Sequence, residues 1–213
     1  MRVRIEPLGR RDYLAVWQAM RDYTVQRGPE SLDRLWTVEH PPVYTLGRNG
    51  RRDHLLVADQ TPLVESDRGG QITWHGPGQA VVYTLIDLSR RRLGVRALVT
   101  LLEQSVVDLL ASHGIEAQAR ADAPGVYVGA AKIASLGLRV TRGCCYHGIS
   151  LNVDNALEPF ARIDPCGQPG LAVTRLADLG VVLEVEAAGL ALAEAIATRL
   201  ETSYPGVSAT PPA

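Results

Sequence analysis

Apolar positions recur along this chain in two rhythms, and each predicts a different kind of element. Tyr13, Trp17, Met20 and Thr24 follow 4–3–4 spacing until Gly28-Pro29 stops the run, which predicts an amphipathic helix packed on a core. Val95, Leu98, Leu102, Val106 and Leu109 repeat that spacing, with Gly114 just past a helix predicted over Val95 to His113. Val185, Leu192, Ile196 and Leu200 mark a last helix. From Arg34 to Asp67 the pattern breaks into short apolar stretches, "LWTVEH", "VYTLG", "LLV" and "LVES", cut by Pro-Pro, Gly-Arg-Asn-Gly and Thr-Pro. These read as strands and turns. "QAVVYTLIDL", residues 79–88, is the strongest strand, and "GVYV", "KIASLGLRV" and "CYHGISLNV" predict three more. Leu157 to Leu179 mixes short helical turns with a Pro/Gly-rich loop, and 207–213 reads as a disordered tail. Strands cluster and helices interrupt them only occasionally. The expected fold is α+β, a mixed or antiparallel sheet with packed helices, in a single domain over 1–213.

Composition narrows the function classes. The 213 residues are 46% hydrophobic and 21% charged with net charge −1. Near-neutral charge argues against nucleic-acid binding, which leaves a basic excess. No apolar run reaches the ~18–20 residues of a membrane span. "MRVRIEPLGRRDY" has no apolar core of a secretory signal, and three cysteines suit a reducing compartment. A cytoplasmic monomer is expected. Among the 22 basic residues only Lys132 is lysine. A composition this biased replaces lysine wherever bare charge suffices, so Lys132 is either a chance survivor or has a task guanidinium cannot perform, such as losing its proton.

Four segments carry candidate chemistry. "DRGGQITWHGPGQ", 67–79, holds four glycines, whose bare backbone allows close approach to a ligand and exposes N–H donors. Neither GxxxxGK[ST] nor GxGxxG occurs, so no phosphate signature is present. "VGAAKIASLGLRV" sets Lys132 among small apolar neighbours, where desolvation is expected to favour the neutral amine that can act as a base. "YHGISLNV" places His147 before Gly148, with a satisfied buried ring or a catalytic role both open. "RIDPCGQPG" puts Cys166 between proline and glycine, in a segment too broken for helix or strand, so this thiol is presented rather than packed. Cys144 and Cys145 fall on a predicted strand and read as core filler; zinc-type spacing and HExxH are absent, and no metal is expected. A nucleophilic thiol needs a basic neighbour, for which Lys132 and His147 are available. These segments together suggest acyl transfer through a cysteine thioester, which needs no ATP and no cofactor.

"RGGQITWHGPGQ", "KIASLG", "HGISLNV" and "DPCG", in this order, resemble the lipoyl(octanoyl) transferases. The resemblance implies a fold similar to the biotin and lipoate protein ligase catalytic domain. It implies transfer of octanoyl from octanoyl-acyl carrier protein to a lysine of lipoyl domains of 2-oxoacid dehydrogenases and of the glycine-cleavage H protein. Carried over, it makes Cys166 the acyl-thioester nucleophile and Lys132 the group that activates it. It assigns substrate binding to Arg68, Gly69, Gly70, Gln71, Ile72, Thr73, Trp74 and His75, to Ser135, Leu136 and Gly137, and to His147, Gly148 and Ile149. Trp74 and Ile149 stand where many such proteins carry Tyr and Leu, a departure expected to reshape the acyl pocket slightly. The alternatives are an ATP-dependent ligase on the same fold and a non-catalytic acyl-binding protein.

Overall fold

The computed structural model describes residues 2–164 and 170–206. The chain opens with β1 (Val3–Arg10), α1 (Tyr13–Gln26), β2 (Asp33–Glu39), β3 (Val43–Leu46), β4 (Leu63–Glu65), β5 (Ile72–His75) and β6 (Gln79–Asp87). It continues with α2 (Leu88–Arg91), α3 (Val95–Ser112), β7 (Gln118–Ala119), β8 (Val126–Val128), β9 (Ala131–Thr141), β10 (Cys144–Asn152) and α4 (Val185–Ser203). Seven strands form one sheet in the order β1-β2-β6-β10-β9-β8-β7, and β4-β3-β5 form a smaller one. β1 runs parallel to β2 and β3 parallel to β4, while the remaining pairs are antiparallel. The mixed sheet with helices agrees with the expected fold class.

β6 shows why its sequence is almost uniformly apolar. Val82 and Ile86 face a core shared with Leu98, Leu102 and Val106 of α3 and Leu192 and Ile196 of α4. Val81, Tyr83 and Leu85 face the opposite side, against Val16 and Met20 of α1. A strand covered on both faces has no use for polar alternation. α1 begins at Asp12, whose carboxylate accepts from the Ala15 N–H at 3.0 Å. Its buried residues are Tyr13, Val16, Met20 and Thr24, so the helical spacing was read correctly except that Trp17 sits at the edge. Cys144 and Cys145 are both buried on β10, as core filler should be.

Three elements depart from expectation. "LLV" is no strand: Leu55 makes an isolated bridge to Ile163, and the Leu56 and Val57 N–H groups both bond to the Arg162 carbonyl. Two donors wrapped on one acceptor cannot continue a ladder. β5 lies inside the glycine-rich stretch, where flanking glycines hide a four-residue run that pairs with β3. β1 carries Pro7 and Gly9, which a sheet tolerates because the strand is at its edge and shifts register there.

Candidate active site

A cleft holding about 590 Å³ of empty space, open solvent at its mouth included, lies where the glycine-rich stretch, β9 and β10 meet. Its walls hold Arg68, Gly70, Gln71, Ile72, Thr73 and His75 from the first motif and Lys132, Ser135, Leu136 and Gly137 from the second. The third motif adds His147, Gly148 and Ile149, and Tyr13 of α1 closes one side. Three motifs far apart in sequence therefore share one cavity. Gly69 and Trp74 do not line it. Trp74 turns to the other face of β5, packs edge-on against Phe160 with centroids 5.7 Å apart, and belongs to the small core under β3. Alternation along a strand sends it there, so the pocket reshaping expected from this residue has no basis in the geometry. Cys166 lies outside the described residues.

The first motif is braced rather than loose. Arg68 is buried, and its guanidinium donates to the Thr45 carbonyl at 2.6 Å, the Gln71 carbonyl at 2.7 Å and the Gly69 carbonyl at 2.9 Å. Those bonds spend the side chain on shaping its own turn. The Gly69 N–H donates to the Leu138 carbonyl at 2.8 Å, which brings the turn against β9. A Cβ at Gly137 would stand 2.8 Å from the Gly69 carbonyl oxygen, so only glycine admits this approach.

Lys132, the second residue of β9, is 3% exposed. Its Nζ donates to the Pro124 carbonyl at 2.9 Å and stands 5.4 Å from the centre of the Tyr127 ring. Its backbone is paired too: the N–H donates to the Ala172 carbonyl at 2.8 Å, and its own carbonyl accepts from Thr174 N–H at 3.0 Å.

The histidines are held by distinct networks. At His147 the backbone is left-handed, with φ +64°. That turns its ring to the side of Tyr146, the two stacking at 5.0 Å, against the usual alternation of a strand. His147 Nε2 donates to Asp67 Oδ1 at 2.9 Å, Trp17 Nε1 donates to the same oxygen at 2.8 Å, and the Tyr146 hydroxyl donates to Oδ2. Burial alone would push the Asp67 carboxyl up, but these three donors outweigh it and hold it down to about 2. Burial lowers the His147 value, and the Asp67 carboxylate opposes that change.

His75 bonds through Nδ1 to Gln79 Oε1 at 2.7 Å. The Gln79 amide nitrogen is committed to Asn152 Oδ1 and to the Trp74 carbonyl, so its oxygen accepts and His75 carries the proton on Nδ1. Burial, reinforced by nearby His40, lowers His75 to about 3. The ring is therefore neutral, stacked on Tyr13 at 6.1 Å. His40 donates from Nδ1 to the Arg11 carbonyl at 2.7 Å and accepts the Tyr83 hydroxyl on Nε2 at 2.8 Å.

Sequence reasoning passed over Tyr13, Asp67, His40 and Tyr83. Only Asp67 left a signal, as the acid that opens the glycine-rich stretch. Among the described residues, no group of three or more His, Cys, Asp or Glu comes together to hold a metal, and no helix is long and apolar enough to cross a membrane.

Known proteins are similar to this chain in sequence and in fold. The family model for the lipoyl protein ligase A/B catalytic domain matches residues 12–197. The octanoyltransferase of Methylococcus capsulatus is 60% identical over 196 residues, covering 92% of this chain and 95% of its own. That of Alkalilimnicola ehrlichii is 62% identical over 179 residues, covering 84% and 83%. Among solved structures, lipoate-protein ligase A bound with ATP superposes with TM-score 0.71 at 13% identity, over 95% of this chain and 85% of that one. The biotin protein ligase of Aquifex aeolicus in complex with biotin and ATP gives 0.61 at 14% identity, over 95% and 72%. These two show the fold alone. The family match and the close relatives agree, and the chain belongs to the lipoyl protein ligase A/B catalytic domain family, among its octanoyltransferases.

Proposed function

We propose that this protein moves an octanoyl group from octanoyl-acyl carrier protein to a specific lysine of lipoyl domains, including the glycine-cleavage H protein, by way of a thioester on Cys166. The observation that carries this reading is the wall of the cleft. A buried lysine stands among the two other motif segments that line the cleft, with its backbone paired to Ala172 and Thr174, a few positions beyond Cys166 in sequence.

The chemistry proceeds in two balanced halves. Lys132 takes the Cys166 proton, and the thiolate attacks the thioester carbonyl of the donor. The tetrahedral oxyanion collapses, expelling the carrier thiol, which recovers the proton from Lys132. The acceptor amine then attacks octanoyl-Cys166 and delivers a proton to Lys132 as the amide forms, and Cys166 leaves as thiolate. A lysine suits both halves because it can cycle between amine and ammonium. His147 and His75, uncharged in their networks, shape and dry the cleft rather than supply charge. The working unit is a cytoplasmic monomer with one catalytic domain, needing neither metal nor ATP.

Intact-protein mass after mixing with octanoyl-acyl carrier protein, without ATP, tests the route. One octanoyl group should add, disappear when a lipoyl domain is supplied, and fail to add to Cys166→Ala. Lys132→Arg, which keeps charge but cannot give up its proton, should be nearly inactive. Transfer that requires ATP and magnesium, or proceeds without Cys166, would replace this mechanism with acyl activation as an adenylate or with direct transfer.

A further inference from the structure

A second acid–amine relation is built beneath the cleft, and it runs through one peptide group. Lys132 Nζ donates to the carbonyl of Pro124 at 2.9 Å. The N–H of Gly125, the other end of that same planar peptide, donates to Glu103 Oε1 at 2.8 Å. Glu103 comes from α3, where it is 7% exposed and is the one charged side chain among the buried residues of that helix. Gly125 has φ +138°, and a Cβ there would stand 2.4 Å from Lys132 Cε and 2.7 Å from the Ala134 carbonyl. The lysine stem therefore lies directly over this peptide, and no other residue type allows it to do so. A carboxylate drawing on the N–H polarises the peptide and strengthens its carbonyl as an acceptor for an ammonium.

We propose that Glu103 is a positioning residue for Lys132, acting through the Pro124–Gly125 peptide to fix the amine at the cleft wall and to couple it to a buried carboxylate. Its importance for turnover rests on the role proposed above for Lys132, whereas the relay itself does not. Burial raises the Glu103 carboxyl, and the Gly125 N–H and Lys132 act against that rise, which supports a coupled pair. Among the described residues, the amine also has near it Tyr127 of β8, with Arg120 over the same ring at 4.9 Å, and Arg68, His75 and His147 across the cleft.

The chain has a single lysine, so protein labelled with carbon-13 and nitrogen-15 lysine gives one side-chain signal whose titration is read by NMR. Glu103→Gln keeps an acceptor for the Gly125 N–H and removes only the charge. At fixed pH its ammonium-to-amine ratio should fall about tenfold, as expected for one charge acting across a peptide in a poorly screened interior. The pH profile of acyl-enzyme formation should move with it. A folded Glu103→Gln protein whose lysine titrates as in the wild type would overturn the relay and reduce Glu103 to a brace for the turn. If that variant does not fold, Lys132→Met serves in its place. The Glu103 carboxyl group, followed through the signal of its carboxyl carbon, should then hold its proton to higher pH than in the wild type, because the coupling is reciprocal; an unchanged curve again overturns the proposal. A relay without Cys166 acylation would refute the thioester route and leave this inference standing, and the converse result would do the opposite.

Discussion

His75 offers a measurement whose size follows from the burial of one ring. In the unfolded chain this imidazole takes up a proton near its ordinary value of 6.5, while in the fold it stays neutral down to about 3. As pH falls below 6.5 the unfolded state gains a proton that the folded state refuses, so stability drops with falling pH. Each pH unit inside that window costs about 1.4 kcal/mol. Between pH 7 and pH 5 the loss from His75 alone comes to about 2 kcal/mol, because the folded ring does not titrate anywhere in the interval. His40 and His147 are also lowered by burial and add losses of the same sign. Asp67 is silent over this range, since its carboxyl is ionised in both states above pH 5. The assay is urea unfolding followed by tryptophan fluorescence at pH 7, 6 and 5, in the wild type and in His75→Asn. Asparagine can still donate to Gln79 Oε1 from the place of Nδ1, and it does not titrate. Losing the stack on Tyr13 lowers stability by the same amount at every pH, so the slope carries the result. The stability lead of the wild type should shrink by about 2 kcal/mol from pH 7 to pH 5. Parallel slopes for the two proteins would show that the ring is not held neutral, and the reasoning on its network would fail.

Three further outcomes follow from named contacts. Asp67→Asn should cost about 2 kcal/mol at neutral pH, judged by urea midpoints, with the difference from wild type fading as pH falls from about 4 towards 2. The same variant frees the His147 ring and should slow acyl-enzyme formation more than it weakens donor binding. Gly137→Ala pushes a methyl against the Gly69 carbonyl at 2.8 Å and should lower stability by about 1–3 kcal/mol, with a raised KM for the acyl donor in steady-state assays. Asp33 is fully buried between Arg27 at 2.7 Å, Arg90 at 2.9 Å and Arg91 at 2.6 Å. Asp33→Asn should therefore cost about 3–5 kcal/mol, seen as a large fall in Tm far from the cleft.

What was legible in the sequence was what lies close together along the chain. Helical spacing located α1, α3 and α4, since one apolar face per helix is a local pattern. Glycine-rich, lysine-bearing and histidine-bearing stretches announced the cleft walls, because each needs its unusual residues side by side. The departures have physical causes. β5 was hidden because glycines on both sides lower strand propensity, and pairing with β3 overrides it. Trp74 was assigned to the pocket by its place in a motif, whereas the two-residue period of its strand sends it to the opposite core.

The groups that orient the site were illegible for a deeper reason. Asp67 meets His147 across 80 residues of sequence, His40 meets Tyr83 across 43, and Glu103 meets Gly125 across 22. Each contact is made by sheet order and helix packing, which no window of sequence contains. His147 adds a local obstacle, since strand alternation would send its ring to the face of Cys145, and only the left-handed backbone brings it to Asp67. A motif thus marks a wall of the cleft, while the carboxylates that fix the protons of that wall come from elements carrying no motif. Asp67 and Glu103 share that logic: the first half-buried and the second buried, each is an acid held by donors, one fastening a histidine and the other reaching a lysine through a peptide. If substitutions at both alter the pH behaviour of a partner rather than its place in the fold, the chemistry of the cleft is set from behind its walls.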